Sequence, residues 1–368
     1  MKLKIKKDDF LRGLRLASGV ADRKGTVQIL SSTLLRAERD VLLIGATDLT
    51  VSVLAALPAT IEKHGDIAVT ARQLHDVVKE LPGDDVSVSS DADKHRLVLR
   101  AGRAEFVLPG SAGSDFPKLP GIVADAAQMD ATILRELLER TAFSISSDDT
   151  RQHLASVLFE SAEGKAICVS TDGHRLTKIG REMPTAPDWS GMLIPRKGVG
   201  EILRLLEGRE APVGVSRTGG TFAVRADDIR LWVKLTDGQF PPWEQIVPTD
   251  SSRRATVSRT ALLESLARVT LMSTKDHGVA ITLTKKGLVI EATHPEAGDA
   301  KEELDAVTMT TNRSEEGKVG VNALYLRDWL SAASSEQIFL DMPGDLDPVV
   351  LRPADGSDYI GVVMPMRL

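Results

Sequence analysis

Three stretches of this chain read as copies of one another, and that repetition limits the fold more than any other feature. Val69–Leu81, Ile194–Leu206 and Val321–Ala333 each read as a strand end, a helix start and about three turns of amphipathic helix. They begin 125 and 127 residues apart. A second trio precedes them in the same order: Leu3–Val20, Met129–Ile145 and Ala255–Met272, each a short alternating strand followed by an amphipathic helix. In the first of these, Phe10, Leu11, Leu14 and Ala17 share a face opposite Arg12 and Arg15. Ile133, Leu134 and Leu137 do the same opposite Arg135, and Leu262, Leu263, Leu266 and Val269 opposite Arg268. Two trios in one order at one spacing make a threefold tandem repeat.

Between the helices run short segments rich in β-branched residues, such as Val41–Thr47, Val86–Ser89, Arg96–Arg100, Ala166–Ser170 and Leu288–Ala292. Each repeat therefore predicts two helices and about eight strands, an α+β fold. Pro117, Pro120 and Gly121 mark one boundary and Pro248–Ser252 the other, which gives domains over 1–124, 125–250 and 251–368.

At 368 residues and 42% hydrophobic content each repeat can bury a core. A single cysteine excludes an internal disulfide and a thiolate zinc site. Apolar runs break within about ten residues, short of the roughly 20 that a spanning helix needs. The lysine-studded start lacks a signal-peptide core, so the sequence predicts a cytoplasmic protein. Net charge is −6, divided as +2, −4 and −4 over the three predicted domains, so a contact between opposite ends of two chains is electrostatically allowed. Aromatic content of 4% argues against a base-stacking single-strand binder.

Catalytic signatures are sparse. There is no Walker A loop and no His-Glu-x-x-His, and the seven histidines show no metal-ligand spacing. Cys168 lies in an apolar strand and reads as a small buried hydrophobe. Ser170–Leu176 places Thr, Asp and Gly in a tight turn just before His174 and Arg175. Asp172 and His174 could form an acid–base pair, but no nucleophile or cofactor loop accompanies them. No catalytic residue, metal or cofactor is expected. The terminus Tyr359–Leu368 is apolar to its end, which suits a docked strand over Tyr359–Val363 and a groove wall over Met364–Leu368, where Pro365 interrupts the ladder.

Thr171–Leu176 together with Val362–Leu368 resembles the bacterial sliding clamp, the β subunit of DNA polymerase III. Thr47–Leu49, Asp115–Pro117, Ile194–Gly198, Asp237–Pro241 and Asn322 match the family in order, over essentially the whole chain. The resemblance implies a clamp fold, with two chains closing a ring head to tail, helices lining the hole and sheets forming the outer wall. A ring holds duplex DNA by topology, so weak, non-specific phosphate contacts suffice and an acidic protein can serve. The candidate DNA-facing residues are Arg12, Arg15, Lys79, Arg135, Arg196, Lys197, Arg204 and Arg268, with Lys24 aligned to a family loop arginine that touches DNA.

The resemblance further implies a groove for short linear motifs with glutamine, leucine and phenylalanine anchors. Carried over by position, it is lined by Leu154, Thr171, Gly173, His174, Arg175, Leu176, Pro241, Ile246, Tyr325, Val362, Val363, Met364, Pro365 and Met366. Its partners would be the polymerase III α subunit, the clamp loader δ subunit and other polymerases or repair proteins. The ring contact would pair Arg72, Phe106 and Leu108 of one chain with Leu271, Met272, Glu302 and Glu303 of the other. The chain departs from the family at Gln28, Pro242-Trp243, Gln245 and Pro348. These leave open a divergent paralogue with a specialised repair or resistance role, and leave the groove's partner preference undetermined.

Overall fold

The computed structural model describes residues 1–368 apart from 23–24, 92–93, 122–123, 126, 249–252 and 311–316. The first repeat runs β1 (Lys2–Lys6), α1 (Lys7–Val20), β2 (Ser32–Glu38), β3 (Val41–Thr47), β4 (Val51–Pro58), β5 (Thr60–Lys63), β6 (Gly65–Thr70), α2 (Ala71–Glu80), β7 (Asp85–Asp91), β8 (Arg96–Ala101) and β9 (Ala104–Ser111). The second runs β10 (Ala127–Met129), α3 (Ala131–Ala142), β11 (Ser156–Ala162), β12 (Lys165–Thr171), β13 (Arg175–Glu182), β14 (Trp189–Pro195), α4 (Arg196–Leu206), β15 (Val213–Thr218), β16 (Thr221–Ala226) and β17 (Ile229–Lys234). The third runs β18 (Arg253–Ser258), α5 (Arg259–Val269), β19 (Gly278–Thr284), β20 (Gly287–His294), β21 (Gly298–Asp305), β22 (Val307–Thr310), β23 (Gly317–Asn322), α6 (Ala323–Ala332), β24 (Gln337–Asp341), β25 (Val349–Pro353) and β26 (Tyr359–Val363). The predicted two helices per repeat recur three times, each repeat running one strand, one helix, a group of strands, a second helix and three closing strands.

Local chemistry sets the helix starts. Asp130 accepts the N–H groups of Thr132 at 2.8 Å and Ile133 at 3.1 Å ahead of α3. Asn322 accepts the Leu324 N–H at 2.9 Å ahead of α6, and Ser258 caps α5 through Ala261. The α1 start has no side-chain cap but carries Asp8 and Asp9 in its first turn, where the helix dipole favours negative charge. Phe10, Leu14 and Ala17 are fully buried while Arg12 and Arg15 are exposed, as the 3.6-residue period requires.

By packing, the residues form two units, Met1–Arg135 with Lys197–Leu235, and Glu136–Arg196 with Thr236–Leu368. The middle repeat is divided because its strands extend its neighbours' sheets. In the first unit, β10–β15–β16–β17 continues through an antiparallel β17–β4 ladder, Trp232 opposite Ser52, into a thirteen-stranded sheet. In the second, β14–β11–β12–β13 continues through β13–β26, Leu176 opposite Val362, into a nine-stranded sheet, while β21–β20–β19–β23 forms a separate four-stranded one. All these ladders are antiparallel.

Candidate functional site

The Thr171–Arg175 turn joins β12 to β13 and is wired by its own side chains. The Thr171 hydroxyl donates to the Arg175 carbonyl at 2.6 Å and accepts the Gly173 N–H at 3.1 Å. The Asp172 carboxylate accepts the N–H groups of His174 at 2.9 Å and Arg175 at 3.0 Å. Gly173 sits at φ +92°, where a side chain is strained. Arg175 is the turn's fixing point. It donates to Asp172 at 3.0 Å, to Asp328 on α6 and to the Phe143 carbonyl, and its guanidinium lies 4.5 Å from the Tyr325 ring centre. Burial, then the Asp172 charge, pushes the Tyr325 hydroxyl pKa up. Asp172 and His174 meet through backbone, not as an acid–base pair of side chains.

The expected groove residues converge in the second unit. Leu176 and Val362 are paired neighbours in the sheet, and with Leu158, Val169, Leu193 and Phe240 they form one apolar cluster against which Ile246 packs. Val363 closes β26 opposite Arg175. The Met364 N–H donates to the His174 carbonyl at 2.9 Å, and the Met366 N–H to Gly320 on β23 at 2.8 Å, which carries Pro365 between them. Met366 and Leu368 lie over Gly278 and Gly320, positions where a Cβ would collide with the tail. The tail lies outside the core: Met364, Pro365 and Met366 are half-buried, and Arg367 and Leu368 are exposed. Leu154 is buried in the 148–154 loop, whose Arg151 reaches within 3.6 Å of where a Gly173 side chain would begin. Pro241 follows directly on Phe240.

Sequence reasoning missed the roof of this cluster. Phe240, Trp243 and Val247 pack onto the same sheet face, and the Pro248 carbonyl is held by Arg352 at 3.1 Å. Arg352 and Arg254 both grip Asp341, which is fully buried. Of the departing residues Trp243 therefore has a packing role, whereas Pro242 and Gln245 are exposed. Phe240 and Trp243 could have been found from their recurrence beside Phe116 and Leu119, one repeat earlier.

The expected DNA-facing cations divide by environment. Arg12, Arg15, Lys79 and Arg204 line one trough of about 800 Å3 in the first unit, between α1, α2 and the end of α4. Arg15 pairs with Glu207, Arg12 with Asp9 at 3.3 Å, and Arg204 with Glu201 at 2.7 Å. Arg135 instead donates to the Leu206 and Arg209 carbonyls at 3.0 and 3.2 Å, and Arg196 to the Ile145 carbonyl at 3.2 Å, so both tie the backbone. Lys197 holds Asp48 and the Val20 carbonyl; burial opposes the charge on Asp48, yet the Lys197 bond and turn hydrogen bonds outweigh it and lower its pKa. Arg268 donates to Glu302 at 3.2 Å. Lys24 lies outside the described residues. The trough also holds Arg209, clasped by Asp227 at 2.7 and 2.8 Å, which the sequence did not single out.

At the expected ring contact, Phe106 is 40% and Leu271 77% exposed, Met272 is half-buried, and Glu303 is exposed. Arg72 and Phe106 line a pocket of about 540 Å3 on α2 and β9. Leu108 is 5% exposed and belongs to the core, while its neighbour Val107 is 48% exposed.

Burial raises the Cys168 thiol pKa strongly, as expected of a hydrophobe. Among the described residues no group of three His, Cys, Asp or Glu side chains is placed to hold a metal, and no helix is long and apolar enough to cross a membrane.

Comparison with known proteins matches three successive family patterns: the N-terminal domain of the DNA polymerase III beta subunit over residues 1–120, its central domain over 128–242 and its C-terminal domain over 244–367. The beta sliding clamp of Pseudomonas putida is 31% identical over the full length of both chains, and that of Escherichia coli K12 29%. The crystal structure of the DNA polymerase III subunit beta from Pseudomonas aeruginosa superposes with a TM-score of 0.92 at 29% identity, covering all of both chains. The three repeats are clamp domains, and the chain belongs to the DNA polymerase III beta subunit family, the bacterial sliding clamps.

Proposed function

We propose that two copies of this chain close head to tail around duplex DNA, and that the groove beside Thr171–Leu176 tethers polymerases to the ring. The observation that carries this reading is a repeated joint with one member left open. In each completed joint, the strand after the turn pairs with the last strand of the next repeat: β4 with β17, and β13 with β26. The third repeat's counterpart, β21, pairs only with β20 among the described residues. The first repeat's last strand, β9, is bonded to β6 only at Gly110 and Ser111, which leaves one edge of Ala104–Pro109 without a ladder partner among the described residues. The same rule joins β21 of one chain to β9 of another. Unprotected edges of this kind invite pairing.

The side chains agree. Phe106, Val107 and Leu271 are exposed apolar groups, and β21 carries Asp299, Glu302, Glu303 and Asp305 against Lys301, where the β8–β9 hairpin carries Arg96, Arg100 and Arg103 against Glu105. Burial of the apolar groups supplies most of the stability, at roughly 25 cal/mol per Å2 less the cost of association. Leu271→Ala with Met272→Ala should give monomers in size-exclusion chromatography. Glu302→Gln should not, because Glu302 is already held by Arg268 of its own chain. An intact dimer in the double variant contradicts the assignment.

The ring has no catalytic role of its own and works in the cytoplasm. Its groove serves the polymerase III α subunit, the clamp loader δ subunit and other polymerases or repair proteins, whose motifs would rest a leucine or aromatic anchor on Leu176 and Val362. Its cations touch phosphates weakly, as sliding demands. The clamp names of the relatives favour the general replicative role over a specialised copy. After loading on a nicked circular duplex the protein should co-elute with DNA, and linearising the circle should release it. Equal retention on both forms would defeat the proposal.

A further inference from the structure

The trough of the first unit contains acids as well as cations, and the two are paired unevenly. Arg204 is bound to Glu201, whose side chain is 7% exposed. Arg209 is clasped by both oxygens of Asp227 and is itself 17% exposed. Those pairs cannot exchange partners without leaving a shielded charge uncompensated. Two pairs are wet: Arg12 with Asp9, 53% and 35% exposed and one turn apart on α1, and Arg15 with Glu207, 56% and 60% exposed, which alone of the two bridges from α1 to another element, the turn after α4. A wet pair of this kind contributes little and opens readily. A phosphodiester carries the same single negative charge as the Glu207 carboxylate, so it can take Arg15 over. It then stands beside a freed carboxylate that repels it.

We propose that Glu207 is the residue that keeps this trough's hold on duplex DNA weak, by sharing Arg15 with passing phosphates. The proposal rests on the reading that the trough faces duplex. It assigns a purpose to an acid placed among the DNA-facing cations: Arg15 returns to Glu207 between phosphates, so each contact is short-lived, and the ring relies on closure rather than grip.

The test measures binding of a labelled 30-base-pair linear duplex to the full-length protein by anisotropy across a salt series. Glu207→Gln should bind several-fold more tightly at low salt, and its log K against log salt line should steepen by about one unit, the signature of one added phosphate contact. Glu163→Gln makes the same charge change in the exposed β11–β12 turn, outside the trough, and should match the wild type. Arg15→Gln combined with Glu207→Gln should lose the gain. An unchanged slope in Glu207→Gln, an equal gain in Glu163→Gln, or a gain that survives in the double variant each overturns the proposal. Salt-independent binding by the wild type overturns the DNA reading of the trough along with it.

Discussion

The turns Thr47–Val51 and Thr171–Arg175 are built to one plan and lead into joints that differ in kind. In both, the threonine hydroxyl donates to the carbonyl four residues on and accepts the N–H two residues on. In both, the aspartate accepts the N–H groups two and three residues on, and the residue after it has positive φ, +74° at Leu49 and +92° at Gly173. The paired floor positions are Ser52 and Trp232 in the first joint, Leu176 and Val362 in the second. Ser52 spends its hydroxyl on Thr47 at 2.7 Å.

The roofs differ as well. In the first unit Leu34, Ala68 and Phe116 pack with Ile29 and Leu119, and Leu119 descends onto Gly45, within 2.6 Å of where a Cβ would be. Gly45 is paired with Leu34; at the corresponding place in the second unit Leu158 is paired with Val169, whose side chain occupies that space. The backbone therefore repeats one turn and one ladder at both joints. The side chains differ: the first joint pairs Ser52 with Trp232, and the second pairs two aliphatics, Leu176 and Val362, in a cluster with Phe240 and Trp243 beside an exposed Gly173-His174 turn.

The largest expected effect comes from deleting Met364–Leu368. The chain leaves both joints by the same bond, Lys234 N–H to the Thr50 carbonyl in the first and Met364 N–H to the His174 carbonyl in the second, but only the second continues into two methionines and a proline, so peptide affinity should fall by at least ~30-fold, the loss of a hot-spot contact, with the dimer intact by light scattering. Next, Gly173→Leu writes the first joint's residue into the second. It should cost about 1–2 kcal/mol of stability for the positive φ, and a side chain at the lip should weaken the peptide ~10-fold. Arg175→Ala should weaken it less, about five-fold, by freeing the turn from Asp328 and the Phe143 carbonyl. The smallest effect on binding is expected from Gly45→Val, which should lower stability by about 1–3 kcal/mol through overpacking under Leu119 and leave peptide affinity unchanged. A Gly45→Val protein with weakened peptide would show that the joints are not independent.

Much of this was legible in the sequence because it is local or periodic. The three helices at Val69, Ile194 and Val321 follow from apolar spacing, and the Asp172–Gly173 turn from residues that tolerate it. The groove residues could be placed only by resemblance, since Leu176, Ile246 and Val362 meet through packing between segments far apart in the chain. The same distance hid other features. Arg135 and Arg196 look like free cations until their carbonyl partners are seen. Glu207 lies 192 residues from Arg15. Leu108 and Val107 alternate along a strand whose buried face the sequence alone did not fix.

The contrast between the two joints is tested most directly by titration calorimetry of the intact dimer with a Gln-Leu-x-Leu-Phe peptide, repeated on the protein lacking Met364–Leu368. The account predicts one peptide per chain in the intact protein and no measurable binding in the truncated one. Two peptides per chain, or undiminished binding after truncation, would contradict it.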